Sequence, residues 1–275
     1  MRIESRKVSI DGAEISVLDV GQGETVVLGH SYLWDADMWR PQIDALSKRY
    51  RVIVPELWGH GQSGPMPRET KDLRDFARQH LSLLDHLGVE RFALAGLSMG
   101  GMWGLELALL APHRLRGLVM MDTSVAAEPA EPRARYFGMF QIIENAKSIP
   151  DPLLDAIVPL FFSVSVNSRN PHLPTGLRTR LREWNRERLL DSVIPMGRII
   201  FSRRDALDDL HDFPFPTLVM TGADDLPRPA HEGREMARRL GCPFIEIPQA
   251  GHISTLEAPD LVTRHLEEFF KQALQ

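Results

Sequence analysis

Gly96-Leu97-Ser98-Met99-Gly100 sets one serine between glycines, after the apolar run Phe92-Ala93-Leu94-Ala95 and before a segment carrying Met102, Leu105, Leu107 and Leu109. The first run reads as a buried strand and the second as an apolar helix. A serine at such a strand-to-helix crest takes a strained backbone angle, and its neighbours must be small so that no Cβ collides with the turn. The pentapeptide alone is a weak signal. Its strand–turn–helix setting makes Ser98 a candidate nucleophile.

A serine hydroxyl is barely ionised at neutral pH, so it needs a base within hydrogen-bond reach and a third group to orient that base. Both are present further along, in the order serine, acid, histidine. Pro216-Thr217-Leu218-Val219-Met220-Thr221 reads as a buried strand ending in Gly222-Ala223-Asp224-Asp225. A helix-like segment follows from about His231 to Leu240, then a short strand, Pro243 to Ile247, and then Ala250-Gly251-His252. In a parallel sheet three such strand ends share one edge, where ligands bind in open α/β sheets. Developing negative charge needs donors. In sites of this kind one is the backbone N–H after the nucleophile, here Met99, and the other lies in the loop after an earlier strand. Thr25-Val26-Val27-Leu28 ends in Gly29-His30-Ser31-Tyr32, which makes Tyr32, ahead of Ser31, the expected second donor.

These motifs resemble those of the α/β-hydrolase superfamily nearly end to end. Leu28 to Tyr32 resembles the family's oxyanion loop, with Ser31 where glycine is usual. Pro55-Glu56-Leu57-Trp58-Gly59-His60-Gly61-Gln62-Ser63-Gly64 resembles its Asp-x-x-Gly-His-Gly-x-Ser turn, with Glu56 replacing the aspartate. Leu118 to Ser124 resembles the strand and turn after the nucleophile helix, and Gly251 to Glu257 the histidine loop. The resemblance implies a mostly parallel eight-stranded sheet flanked by helices. It implies a Ser98–His252–Asp225 triad, the family spacing selecting Asp225 over Asp224. Asp122 follows a strand at the position where some relatives place a substitute acid, and is the alternative to Asp225. A triad of this kind works through an acyl-enzyme, and no cofactor is expected. The elbow, Gly96 to Met102, is similar to that of enol-lactonases and esterase/perhydrolases, so a small ester or lactone is the expected substrate. Haloalkane dehalogenation and epoxide hydrolysis are disfavoured, because their elbow carries an aspartate. C–C hydrolysis of a ring-cleavage product uses the same triad, and some relatives are ligand receptors that keep it; turnover separates receptor from enzyme.

Composition is that of an ordinary globular chain. The formal charge of −5 over 275 residues, with scattered Lys and Arg, does not suggest a nucleic-acid partner. Met1 to Lys7 lacks an apolar targeting core, and no later run is long enough to span a bilayer. A lone Cys242 permits no internal disulfide and fits a reducing compartment. A cytoplasmic monomer or homodimer is therefore expected. No His/Cys/Asp cluster has metal-ligand spacing, and no Gly-rich nucleotide fingerprint precedes a helix.

Strands near Arg6–Ile10 and Glu14–Val20 flank the turn Asp11-Gly12, and strands and helices then alternate from Thr25 to Asp122. Helical spacing recurs at Met38, Ile43 and Leu46, and at Leu73, Phe76, Leu81, Leu84 and Leu87. The rhythm breaks over residues 126–212, a set of amphipathic helices punctuated by prolines. This reads as a helical cap inserted into a core made of residues 1–125 and 213–275, which closes with a helix over about Asp260–Leu274. Cap aromatics such as Tyr136, Phe140 and Phe161, with Ser31 and Trp34 from the core, are candidates for the substrate pocket. The plainer reading of each aromatic is burial within the cap or core, and Met38 and Trp103 share that ambiguity. The run from Arg178 to Arg188 offers an arginine fork for a substrate carboxylate. Mixed charge on a helix is more commonly a solvated face with i,i+4 pairs. His30 and His60 read as scaffold or pocket wall rather than as bases.

Overall fold

The computed structural model describes residues 5–211 and 213–275; Met1 to Glu4, part of the polar N-terminal stretch, and Asp212, the expected last cap residue, lie outside them. The chain enters through a hairpin, β1 (Ser5–Ile10) and β2 (Ala13–Val20). Its two-residue turn, Asp11-Gly12, has positive φ at both positions, as the right-handed twist of paired strands requires. The remaining strands are β3 (Thr25–Gly29), β4 (Arg51–Pro55), β5 (Phe92–Leu97), β6 (Leu115–Met121), β7 (Thr217–Gly222) and β8 (Phe244–Ile247). They form one eight-stranded sheet in the order β1-β2-β4-β3-β5-β6-β7-β8. The β1–β2 and β2–β4 pairs are antiparallel and all others parallel.

Residues of β3 and β5 are buried on both faces, which explains why these strands read as continuous apolar runs rather than alternating ones. The connections carry α1 (Arg40–Leu46), α2 (Leu73–His86) and α3 (Met99–Leu110), with α10 (Ala230–Leu240), α11 (Ser254–Glu257) and α12 (Pro259–Ala273) later. Helix α2 starts at Asp72, whose carboxylate accepts from Asp75 N–H at 2.9 Å. Helix α3 is buried over Met99 to Ala108, as expected of a helix apolar all round.

After β3 the chain moves outward to β4, then crosses back so that β5 lies on the other side of β3. This reversal opens a crevice at the carboxyl ends of β3 and β5. Gly29 pairs with Gly96 across that junction. Between β6 and β7 the chain leaves the sheet and forms α4 (Ala130–Ala146), α5 (Asp151–Ile157), α6 (Val166–Arg169), α7 (His172–Arg182), α8 (Arg186–Arg188) and α9 (Ile194–Phe201). Its side chains, with those of the β3 and β5 loops, enclose one apolar cavity.

Candidate active site

Ser98 stands between β5 and α3 with φ 55° and ψ −116°, a conformation costly for any residue with a Cβ. Its surroundings hold it there. Ser98 N–H donates to Met121 O at 2.8 Å, and Thr123 Oγ1 donates to Ser98 O at 2.7 Å. The flanking glycines are steric necessities. A Cβ on Gly96 would lie 2.2 Å from Gly100 O, and one on Gly100 would lie 2.2 Å from Gly29 O. Those contacts are with backbone, which cannot swing aside.

Asp225 and Asp224, adjacent in sequence, are separated by burial: Asp224 is exposed and Asp225 is buried. Asp225 Oδ2 and Oδ1 lie 2.9 and 3.1 Å from His252 Nδ1, and Oδ1 also accepts Arg228 N–H at 3.0 Å. Nδ1 is therefore the protonated nitrogen, which leaves Nε2 as the basic one. The loop that carries His252 is held on both sides. Glu257 accepts Gly251 N–H at 2.8 Å and Ser163 N–H at 3.0 Å, and Ile253 N–H donates to Phe161 O at 3.1 Å. Ser98 and His252 open onto the same cavity.

Asp122 lies at the next strand end and does a different job. Its Oδ1 accepts Gly222 N–H at 2.7 Å and its Oδ2 accepts the Ser254 hydroxyl at 2.6 Å. It thus ties β6 to the end of β7 and to the histidine loop. Burial, reinforced by the charge of Asp225, raises its pKa well above the usual carboxylate range.

The oxyanion-loop candidates divide by their hydrogen bonds. Ser31 N–H points to Met38 Sδ at 3.3 Å, and Leu33 N–H donates to His60 Nε2 at 3.1 Å. Tyr32 N–H, between them, is not committed to either of these acceptors. Met99 opens α3, where N–H groups have no intrahelical acceptor. His30 and His60 are scaffold in geometry. His30 Nδ1 donates to Ser31 O at 2.8 Å while Nε2 accepts Leu57 N–H at 2.8 Å. His60 Nδ1 donates to Trp58 O at 2.9 Å. Each ring has both nitrogens engaged, and burial lowers their pKa values to about 4 and about 3 respectively. Leu33 itself has φ 66°, so the His60 bond helps hold a second strained residue of the site.

The cavity measures about 90 Å³. Ser31, Tyr136, Phe140 and Phe161 are on its wall, together with the Tyr32 side chain, whose hydroxyl donates to Val193 O at 2.7 Å. Trp34 stands behind the wall: its ring meets Phe161 and Phe162 edge-on, and Arg180 lies over it at 4.6 Å. Trp103 is likewise off the wall, stacked on His80 at 4.0 Å. The arginines from 178 to 188 do not reach the cavity. Arg178 pairs with Asp151 and Asp155, and Arg180 with Asp35. Arg228 does line the cavity, and neither it nor its partner Glu128 is marked by any sequence motif. Val193, Ile200 and Phe201 complete the far side. Among the described residues no three His, Cys, Asp or Glu side chains converge as a metal site would require.

A family model described as the alpha/beta hydrolase fold matches residues 24–259. The chain belongs to this family. The thermophilic esterase from Thermogutta terrifontis superposes with a TM-score of 0.87 at 27% identity, covering 98% of this chain and 99% of that one. The enol-lactonase from Burkholderia xenovorans gives 0.82, also at 27% identity, over 97% and 100%. In sequence, 3-oxoadipate enol-lactonase 1 of Acinetobacter baylyi is 24% identical over 246 residues, 90% of this chain and 88% of its own. These three relatives, an esterase and two enol-lactonases, support a hydrolase activity here.

Proposed function

We propose that this protein is a serine hydrolase that cleaves a small carboxylic ester or lactone through an acyl-enzyme. The observation that carries the reading is the buried Asp225–His252 contact at 2.9 Å beside a strained Ser98 on one cavity. The esterase and enol-lactonase names of the relatives favour an ester or lactone among acyl substrates. Ser98 Oγ attacks the carbonyl carbon and its proton passes to His252 Nε2. Asp225 holds the ring and stabilises the imidazolium that forms. The N–H groups of Met99 and Tyr32 receive the oxyanion of the tetrahedral intermediate. His252 returns the proton to the leaving alkoxide, and water then repeats the sequence on the acyl group, regenerating Ser98. Every donor that meets the oxyanion is backbone, which leaves the Met99 and Tyr32 side chains free to pack.

The test is a screen of aryl esters of graded acyl length and of lactones, with Ser98→Ala beside the wild type. The wild type is expected to turn over many times per molecule, and the variant to lose at least about a thousandfold in kcat. Full activity in Ser98→Ala would refute the assignment of the nucleophile. One equivalent of product followed by arrest would place the chain among ligand receptors instead.

A further inference from the structure

Among the described residues Arg228 is the one guanidinium on the wall of the cavity beside Ser98, and its charge is already spent on protein. Arg228 Nη2 lies 2.7 and 2.8 Å from the two carboxylate oxygens of Glu128. Arg203 Nη1 donates to Glu128 Oε2 at 2.9 Å, and Glu232 Oε2 stands 3.6 Å from Arg228 Nη1. Two arginines and two glutamates thus form a cluster of zero net charge, in which the Glu128, Arg203 and Arg228 side chains are almost fully buried. The cluster is anchored from three segments: Glu128 precedes α4, Arg203 follows α9, and Arg228 belongs to the loop of Asp225.

Beyond the hydroxyls of Ser31 and Tyr136 the rest of the wall is mostly apolar, with Phe140, Ile143, Ile157, Ile200 and Phe201 contributing side chains. The Tyr32 hydroxyl is turned away to Val193 O. A carboxylate entering this space would lose its hydration and find the Arg228 guanidinium already held by Glu128. The volume, about 90 Å³, is below the ~300–1,000 Å³ of sites for drug-sized ligands.

We propose that the pocket selects short, uncharged, apolar acyl groups and rejects carboxylate-bearing ones, with Glu128 as the specificity-determining residue because it cancels Arg228. This rests on the serine-hydrolase reading for its kinetic arm only. Wild-type kcat/KM is measured for 4-nitrophenyl pentanoate and for the 4-nitrophenyl monoester of glutarate, which differ by a terminal carboxylate at equal carbon count. The neutral ester is expected to be favoured by about a hundredfold, since an unpaired buried charge is strongly penalised. Glu128→Gln frees the guanidinium and is expected to narrow that ratio at least tenfold. Should Glu128→Gln melt before assay, the wild-type ratio still decides.

A binding arm is independent of turnover. Ser98→Ala is titrated with ethyl pentanoate and with monoethyl glutarate, read by ligand-observed NMR. Binding of the neutral ester and not of the anion supports the inference. Equal or tighter binding of the anion, or a wild type that prefers the glutarate monoester, overturns it. Absence of any ester turnover would refute the catalytic reading, and the binding arm would still judge the pocket.

Discussion

Replacing Asp225 by asparagine changes one atom and isolates what the carboxylate does. In the folded protein its Oδ1 accepts Arg228 N–H at 3.0 Å, and the pair of oxygens faces His252 Nδ1 at 2.9 and 3.1 Å. An amide has one oxygen, which the Arg228 N–H retains, so the NH2 group turns to the imidazole. A donor facing Nδ1 requires that nitrogen to be unprotonated, which moves the ring proton to Nε2. In the proposed mechanism Nε2 receives the Ser98 proton, so the base would be lost. The imidazolium also forfeits a buried counter-charge, since the Asp225 side chain is wholly shielded from solvent. In serine triads this exchange lowers kcat by about 10⁴, equivalent to roughly 5 kcal/mol of barrier. The assay is kcat/KM on a short aryl ester with a melting curve to establish folding. Asp122→Asn is the control, because its amide still accepts Gly222 N–H while the Ser254 hydroxyl turns to accept from it. That variant is expected to stay within about tenfold of wild type, the loss of one hydrogen bond's preference being worth about 1 kcal/mol. A folded Asp225→Asn retaining more than a tenth of wild-type activity, or an inactive Asp122→Asn, would refute the reasoning.

Gly100→Ala places a Cβ 2.2 Å from Gly29 O and must push the elbow away from the oxyanion loop; overpacking of this kind costs about 1–3 kcal/mol, and loss of activity is expected with a lower Tm. Gly138→Ala, in α4 with nothing within 4 Å of its added Cβ, is expected to raise stability by about 0.5–1 kcal/mol, so equal Tm changes in the two variants would contradict the steric account. His30, His60 and His80, whose pKa values burial lowers to about 4, 3 and 4, each weaken the fold in acid, while the raised pKa values of the buried Asp122 and Glu56 act in the opposite direction. Below pH ~6.5 the unfolded chain binds protons that the folded one refuses, so stability falls as pH drops from there toward the folded values. At pH 5 three such groups remove up to about 6 kcal/mol, comparable to the whole stability of many domains. A His80→Gln variant whose urea midpoint falls between pH 7 and pH 5 as much as that of the wild type would show that this ring is not held neutral.

Much of the site was legible because its parts are local. The glycines around Ser98 and the turn Asp11-Gly12 are short-range steric demands, written within a few residues of where they act. The order of serine, acid and histidine could be read because each follows its own strand, and parallel strands align their carboxyl ends. Strand and helix placements in the core agree with the structure to within a few residues, including β7, β8 and α12. Choosing Asp225 over Asp224 rested on resemblance, since the two are chemically identical in sequence.

What only the tertiary structure decided is which side chains meet across long separations. Burial makes Asp225, and not its exposed neighbour, the partner of His252. Trp34, a candidate for the pocket from sequence, is not on the cavity wall and packs edge-on against Phe161, which is. Glu128 and Arg228 are 100 residues apart and belong to no motif. The sequence by itself determined the chemistry available at the strand ends, because backbone geometry there tolerates few residue types. The pocket's shape and charge were decided by packing between the inserted helices and the sheet, where many residue types are tolerated and only their final neighbours assign them a role.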